Sequence, residues 1–204
     1  MRFLPDIRYG TENYPEKVAR QLRALNLAAW CGAAIAAFGV ATVVVHEFLD
    51  PKPGLWKAGV VNALGASIYA SVPLLHRFGT LWGALTVALT VQVYFFSLTW
   101  LYGTGSGLQM GFLLAAALIF VVLGTDRILL SAVLGALIVL QVVVLQIMVP
   151  YSTGLLNAAT LFALFVFVVI ANVTVLITIV TFALREAARG EAAQFCDVVG
   201  DGDR

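Results

Sequence analysis

The stretch at residues 155–194 limits the possible folds of this chain more than any other. It is apolar from residue 155 to residue 184 and contains no proline or glycine before Gly190. A helix needs about 20 apolar residues to cross a hydrocarbon core, so this stretch is long enough to span a bilayer. Charged residues then appear together from Arg185 to Glu191, within a sequence rich in the helix formers Ala, Arg and Glu. The sequence therefore predicts a transmembrane helix that continues into water as a rod.

The composition of the chain is that of an integral membrane protein. Hydrophobic residues make up 61% of the 204 residues and charged residues only 11%, whereas soluble domains carry about 25% charged residues. The net charge of +1 and the absence of a basic run indicate no nucleic-acid-binding face.

Cys31 and Cys196 lie far apart in sequence, and we interpret them as a small buried residue and a free thiol. No cleavable signal peptide is apparent, so we expect the first span to direct insertion.

The hydropathy pattern predicts an all-α membrane protein, a bundle of six transmembrane helices. We expect the spans at residues 25–45, 59–75, 81–101, 108–124, 128–149 and 155–184. Before the first span, apolar residues alternate with basic ones at helical spacing, which predicts a short amphipathic helix at the headgroup boundary. A plain solvated helix start explains the same residues. The expected domains are a cytoplasmic N-terminal segment at 1–24, a six-helix transmembrane domain at 25–184, and a cytosolic helix extension with a short tail at 185–204.

The distribution of basic residues predicts the orientation of the bundle. With the N-terminus inside, ten of the twelve Lys and Arg residues fall on the cytoplasmic side, and only Lys52 and Lys57 fall outside. We therefore expect both termini to be cytoplasmic and the protein to lie in the plasma or inner membrane.

Small residues four positions apart favour close helix packing, and they occur in four pairs: Gly32 with Ala36, Gly59 with Ala63, Gly111 with Ala115, and Ala132 with Ala136.

Polar side chains within the spans are mostly amides. No Asp, Glu, Lys or Arg lies in the middle of a span, although ion-coupled transport usually requires such groups. We interpret the amides as interhelical hydrogen-bonding groups rather than substrate ligands: Asn62, Gln92, Gln141, Gln146, Asn157 and Asn172. A small transporter or channel with a pocket between the helices remains the second hypothesis, and inverted internal repeats would favour it.

Two segments between the spans have residues that suggest a binding role. His46, Glu47 and Asp50 place an imidazole and two carboxylates within one helical turn, where they could share a divalent cation or bind a cationic ligand. A solvated turn at the membrane edge explains the same residues. The GTGSG sequence at 103–107 lacks the Gly-Lys-Ser/Thr of a phosphate-binding loop and lies between spans, so we expect a flexible turn. No motif for a cofactor or for catalysis is present, and we expect no cofactor.

Several longer strings extend this interpretation through a family resemblance. The runs SVPLLHRFGTLWGALT, GLQMGFLLAAALIFVVLG and TFALREAARGEAAQ resemble the six-span membrane domain of bacterial class III adenylate cyclases, and YPEKVARQLRAL is similar to the helix before its first span. The resemblance covers about residues 14–194. It implies that the sixth helix continues into a coupling helix and then a catalytic domain that works as a homodimer. The positions that match this connection are Phe182, Ala183, Leu184, Arg185, Ala188, Arg189 and Glu191.

The resemblance also implies which functional parts to expect. The metal-binding aspartates, the adenine-selecting Lys and Asp, and the transition-state Asn and Arg of the cyclase domain have no counterpart before Arg204. We therefore expect a non-catalytic membrane anchor and receptor domain that promotes dimerisation and transmits a signal through the sixth helix. The expected partners are the lipid bilayer, a second copy of the chain, and a class III catalytic domain.

Overall fold

The described part of the chain folds into six α-helices. The computed structural model describes residues 7–123 and 127–201, with most of their side chains up to Arg185. Its helices are α1 (Glu16–Leu49), α2 (Leu55–Leu75), α3 (Thr80–Tyr102), α4 (Gly111–Leu123), α5 (Ile128–Met148) and α6 (Ala158–Asp201). No strand occurs in these described ranges, which confirms the all-α prediction. We call the two ends of the bundle the Tyr102 end, where α3 ends, and the His76 end, where α2 meets α3.

Five of the helices are long and apolar enough to cross a membrane. They are α1, α2, α3, α5 and the apolar part of α6, and many of their large apolar side chains are exposed, as surfaces that face lipid would be. α4 is shorter, with 13 residues, and two 3-10 turns precede it, Thr104–Ser106 and Leu108–Met110. The predicted fourth span at 108–124 therefore corresponds to a turn followed by a short helix, and residue 124 lies outside the described residues.

The predicted amphipathic helix before the first span is the beginning of α1. α1 runs without a break from Glu16 to Leu49, after Pro15, and a helix-forming sequence without Gly or Pro before Gly32 explains this continuity. Ala19 and Leu22 in its first turns are buried. Residues 7–15 lie nearby, since Asn26 of α1 binds the carbonyl oxygens of Ile7 and Tyr9. The position of this part of α1 at a headgroup boundary stays a prediction.

Small residues allow α1 to lie close against α2. The ring of Tyr69 packs on Gly32, and the side chain of Asn62 packs on Gly39, so that neither glycine has room for a side chain. Ala36, between them on the same face, is fully buried. The close approach predicted from the Gly32–Ala36 spacing is thus present in the structure.

Residues 103–110 form a buried turn at the Tyr102 end, where the sequence predicted a flexible one. Two backbone amides of this segment donate to the carbonyl oxygens of Pro150 and Tyr151, at 3.0 and 2.8 Å. Gly107 has a φ of +71°, and the ring of Phe165 in α6 packs on it. The segment therefore holds the first part of α6 against the rest of the protein.

α6 is the longest helix, with 44 residues, or about 66 Å at 1.5 Å per residue. Its apolar part, Ala158–Phe182, has 25 residues and is about 37 Å long, against about 30 Å for a hydrocarbon core. It packs on α1, on α4 and on the two 3-10 turns. The helix continues past Phe182 without interruption, as the sequence predicted.

Candidate functional site

A cavity of about 360 Å³ lies between α6 and the packed helices α1, α2 and α3. Small residues on both facing helices leave this space open. The α6 side is a stripe of residues three or four apart, on one helix face: Thr160, Ala163, Leu164, Phe167, Val168, Ala171, Asn172 and Val175. The α1 side is a similar stripe: Ala28, Gly32, Ile35, Phe38, Gly39, Thr42, Val43 and His46.

The wall opposite α6 is fixed by a hydrogen bond between α2 and α3. The Tyr94 hydroxyl donates to Asn62 Oδ1 at 2.7 Å, and Asn62 Nδ2 donates to the Ala58 carbonyl oxygen at 2.8 Å. The ring of Tyr69 meets that of Tyr94 edge to face, with centroids 6.3 Å apart. Both hydrogen-bonding atoms of the Asn62 amide are thus engaged, which stabilises this wall as a rigid surface.

Two buried tyrosines offer the cavity hydrogen-bonding groups without a protein partner. Tyr69 is 3% exposed and Tyr102 is 7% exposed, and both line the cavity. Within the described part of the chain, neither hydroxyl forms a hydrogen bond. Tyr102 is the last residue of α3. α2 begins at Leu55, at the same end of the bundle, and Tyr69 lies about 21 Å further along α2 at 1.5 Å per residue. The cavity therefore has open hydrogen-bonding groups at two separate depths.

The lining of the cavity is apolar with a few uncharged polar groups. The described lining includes tyrosines, asparagines, threonines and His46, but no Asp, Glu, Lys or Arg. Ligand pockets in proteins typically have 300–1,000 Å³, apolar walls and a few placed polar groups, and this cavity has all three properties. It also lacks, in that described lining, the charged groups that ion-coupled transport uses.

The amides predicted as interhelical hydrogen-bonding groups differ in what they contact. Among these described amides, Asn62 is the one with a hydrogen bond to another helix. Asn157 accepts from the Thr160 amide in the first turn of α6, and Asn172 donates to the Val168 carbonyl oxygen within α6. Three others do not: Gln92 and Gln141 have buried amide atoms without a partner among the described residues, and Gln146 is exposed.

The predicted group at His46, Glu47 and Asp50 lies at the Tyr102 end. His46 lines the cavity, and Asp50 pairs with Lys52 at 3.3 Å. A carboxylate oxygen of Glu47 is buried and has no hydrogen-bond partner among the described residues. In the described ranges, no three His, Cys, Asp or Glu side chains converge as metal ligands do. A response of this group to divalent cations stays a prediction.

The predicted coupling residues lie along the last part of α6. Phe182 is half-buried, and Leu184 and Arg185 are exposed. The backbone at the remaining positions is part of the same helix, and their side chains lie outside the described ones: Ala183, Ala188, Arg189 and Glu191.

A buried polar cluster at the His76 end was not predicted from the sequence. Asn26 Nδ2 donates to the carbonyl oxygens of Ile7 and Tyr9 at 3.0 and 3.1 Å, and Asn26 Oδ1 lies 2.7 Å from His76 Nε2. The Tyr14 hydroxyl donates to the His76 carbonyl oxygen at 2.7 Å. These bonds attach residues 7–15 to the α2–α3 turn. An asparagine at the start of an apolar run was the available sign, but its partner lies fifty positions away in sequence.

Comparison with known proteins adds a family and two relatives. A family model named MASE7 matches residues 11–195. Proteins named adenylate cyclase from Mycobacterium tuberculosis and Mycobacterium bovis are 36% identical to the chain over 189 residues. That alignment covers 91% of this chain but 41% of each relative, so the chain spans about two-fifths of the length of these cyclases.

Proposed function

The chain belongs to the MASE7 family of membrane-associated sensor domains, and we propose that it is the non-catalytic anchor and receptor domain of an adenylate cyclase system. A stimulus at the cavity would change the position of α6, and α6 would carry that change to a class III catalytic domain. One observation carries this proposal: the helix that forms one wall of the cavity also continues, without interruption, past its apolar part Ala158–Phe182. Occupancy of the cavity and movement of α6 are therefore expected to be coupled.

The proposed topology has six crossings with both termini in the cytoplasm. The ten-to-two distribution of Lys and Arg supports it. The proposed fourth crossing consists of α4 and the turn Leu108–Met110 that precedes it. In this arrangement the N-terminal segment is 1–24, the membrane domain is 25–184 and the cytosolic extension is 185–204.

The proposed active unit is a homodimer. Class III active sites form between two catalytic domains, as the cyclase resemblance implies, so their anchor has to hold two chains together. The exposed face of α5 supports this proposal: Ala132 and Ala136 are exposed, and a Cβ added at Gly135 would meet no other atom. Small residues on an exposed helix face allow close approach of a second transmembrane helix.

The proposed output passes through the coupling residues of α6. Phe182 and Leu184 lie where the apolar part of the helix ends, and Arg185 follows, where its guanidinium can contact anionic lipid headgroups. Ala188, Arg189 and Glu191 lie one to two turns further along the same helix. A rigid helix across this boundary would transmit rotation or displacement, whereas a flexible segment would not.

A fusion experiment tests this output. A homodimeric cyclase catalytic domain is fused after Gln194, and one, two or three residues are inserted after Glu191. Each inserted residue rotates everything downstream by about 100°, so we expect cyclic AMP formation to change strongly and non-monotonically with the insertion. Activity that is the same in all four proteins would show that α6 is only a tether. Crosslinking in native membranes tests the dimer, and a monomeric fusion would contradict it.

A further inference from the structure

The cavity is long and narrow. It extends on α1 from Ala28 to His46, and on α6 from Thr160 to Val175, which are about 27 and 22 Å at 1.5 Å per residue. Both lengths exceed one leaflet of a hydrocarbon core, which is about 15 Å thick. A volume of about 360 Å³ spread over that length favours an extended chain over a compact molecule.

The two ends of the cavity differ in polarity. At the Tyr102 end, the lining includes the side chains of Tyr102, His46, Thr42 and Thr160. At the other end, Ala28 and Val175 line it and pack in one apolar cluster with neighbouring helices. The Tyr69 hydroxyl and the Asn172 amide are the polar groups in this deeper part, fewer than at the Tyr102 end. A ligand with a polar head and an apolar chain therefore fits best with its head at the Tyr102 end.

The charge of the lining limits the head group. No Lys or Arg occurs in the described lining, so an anionic head would be buried without a counter-charge, which is costly in an apolar environment. Glu47 and Asp50, at the same end of α1 as His46, are not part of that lining. Asp50 pairs with Lys52, and one carboxylate oxygen of Glu47 is buried without a partner among the described residues. The side chain of Tyr102 is largely buried, and its hydroxyl, which has no hydrogen-bond partner among the described residues, matches a hydroxyl, ester or amide group.

We propose that the cavity binds an uncharged single-chain amphiphile, whose head hydrogen-bonds to Tyr102 and whose chain extends along α6 toward Val175. This inference rests on the proposed function, because it names the ligand of the receptor domain. The ligand touches α6 over the stripe from Thr160 to Val175, so its presence fixes the distance between α6 and the wall formed by Asn62 and Tyr94.

Photolabelling with a defined lipid tests the proposal without measuring any output. The full chain in phosphatidylcholine nanodiscs is exposed to a monoacylglycerol with a diazirine in its acyl chain. We expect label on the α6 peptide that contains Ala163 and Ala171, and competition by unlabelled monoolein but not by oleate. Ala171→Phe fills the cavity and is expected to abolish this label, whereas Ala159→Phe, on α6 but outside the lining, is the matched control and should retain it.

A matched pair of tyrosine variants tests the orientation. Tyr102→Phe removes one hydrogen bond to the head and should weaken monoolein competition by about 2- to 12-fold. Tyr69→Phe removes an equivalent hydroxyl at the other depth and should leave competition unchanged. Because neither change alters packing, this pair remains informative if Ala171→Phe does not fold.

Three results would overturn the proposal. Label that survives in folded Ala171→Phe would mean that bulk lipid, or a second copy, was labelled elsewhere. Stronger competition by oleate than by monoolein would mean that the cavity prefers an anionic head group, and the proposed uncharged head group would be wrong. Loss of binding in Tyr69→Phe instead of Tyr102→Phe would reverse the orientation. If the lipid does not bind but the insertion series still changes cyclase activity, only the proposed ligand is wrong. If the lipid binds but the insertions leave cyclase activity unchanged, transmission through α6 is wrong and the ligand stands.

Discussion

The ring of Phe165 in α6 lies directly on Gly107, in the buried turn that leads into α4. Gly107 has a φ of +71°, a conformation that costs an L-residue about 1–2 kcal/mol, and a Cβ at this position would collide with the ring. This contact holds α6 at the Tyr102 end, whereas the face of α6 from Ala163 to Val175 borders the cavity. α6 also packs at the other end of the cavity, where Val175 and Ile179 form an apolar cluster with Ala28 and Leu114, so the cavity lies between two points of contact.

Replacing Gly107 should therefore loosen α6. We expect Gly107→Ala to lower the free energy of unfolding by about 1–3 kcal/mol, because the new methyl group adds both backbone strain and overpacking. The thermal midpoint in detergent measures this. Gly135→Ala is the matched control, since a Cβ there meets no other atom within 4 Å. Equal midpoints for the two variants would contradict the role of the Phe165 contact.

The hydrogen bond between Tyr94 and Asn62 should contribute measurably to stability. Tyr94→Phe leaves Asn62 Oδ1 buried without its donor, and interhelical hydrogen bonds in membranes contribute about 0.6 kcal/mol on average and about 1.7 at most. We expect a loss in this range, measured by unfolding in mixed micelles. Tyr102→Phe is the control, because the Tyr102 hydroxyl has no partner in the described part of the chain. A loss no larger than that of the control would show that the bond does not stabilise the wall.

The buried cluster around Asn26 should hold residues 7–15 in place. Asn26→Leu removes the bonds to Ile7, Tyr9 and His76, each of which contributes about 1 kcal/mol. We expect backbone hydrogen exchange in residues 7–15 to become faster by more than about fivefold. Asn172→Leu, whose amide bonds only within α6, should not change it. Unaltered exchange in the Asn26 variant would mean that the segment is held by other contacts.

The sequence was sufficient for features that depend on local pattern. Apolar run length predicted the helices, and the change from apolar to charged residues at Arg185 predicted where α6 leaves its apolar part. It was insufficient where distant segments meet. The GTGSG turn is buried because the loop at Tyr151 and the ring of Phe165 cover it. Both residues lie far from the turn in sequence, so no local pattern predicts these contacts. The cavity likewise depends on small residues from two helices facing each other.

Orientation in the membrane can be measured independently of stability. On a background without Cys31 and Cys196, we expect a cysteine at position 57 to react with an impermeant reagent added outside. A cysteine at position 77 should react only after permeabilisation, since the positive-inside rule places Arg77 in the cytoplasm. Lys57 and Arg77 are both exposed, so reactivity reports their side of the membrane. Labelling of position 77 from outside would refute the topology.

The central claim is that the state of the cavity sets the position of α6 and thereby the output. The most direct measurement is cyclic AMP formation by the fusion after Gln194, carrying either Ala171→Phe or Ala159→Phe. Ala171 lines the cavity and Ala159 does not, and both substitutions add the same side chain to the same helix. We predict that Ala171→Phe changes the activity several-fold at equal membrane expression, while Ala159→Phe leaves it at the level of the unmodified fusion. Equal activity in all three proteins would contradict the claim.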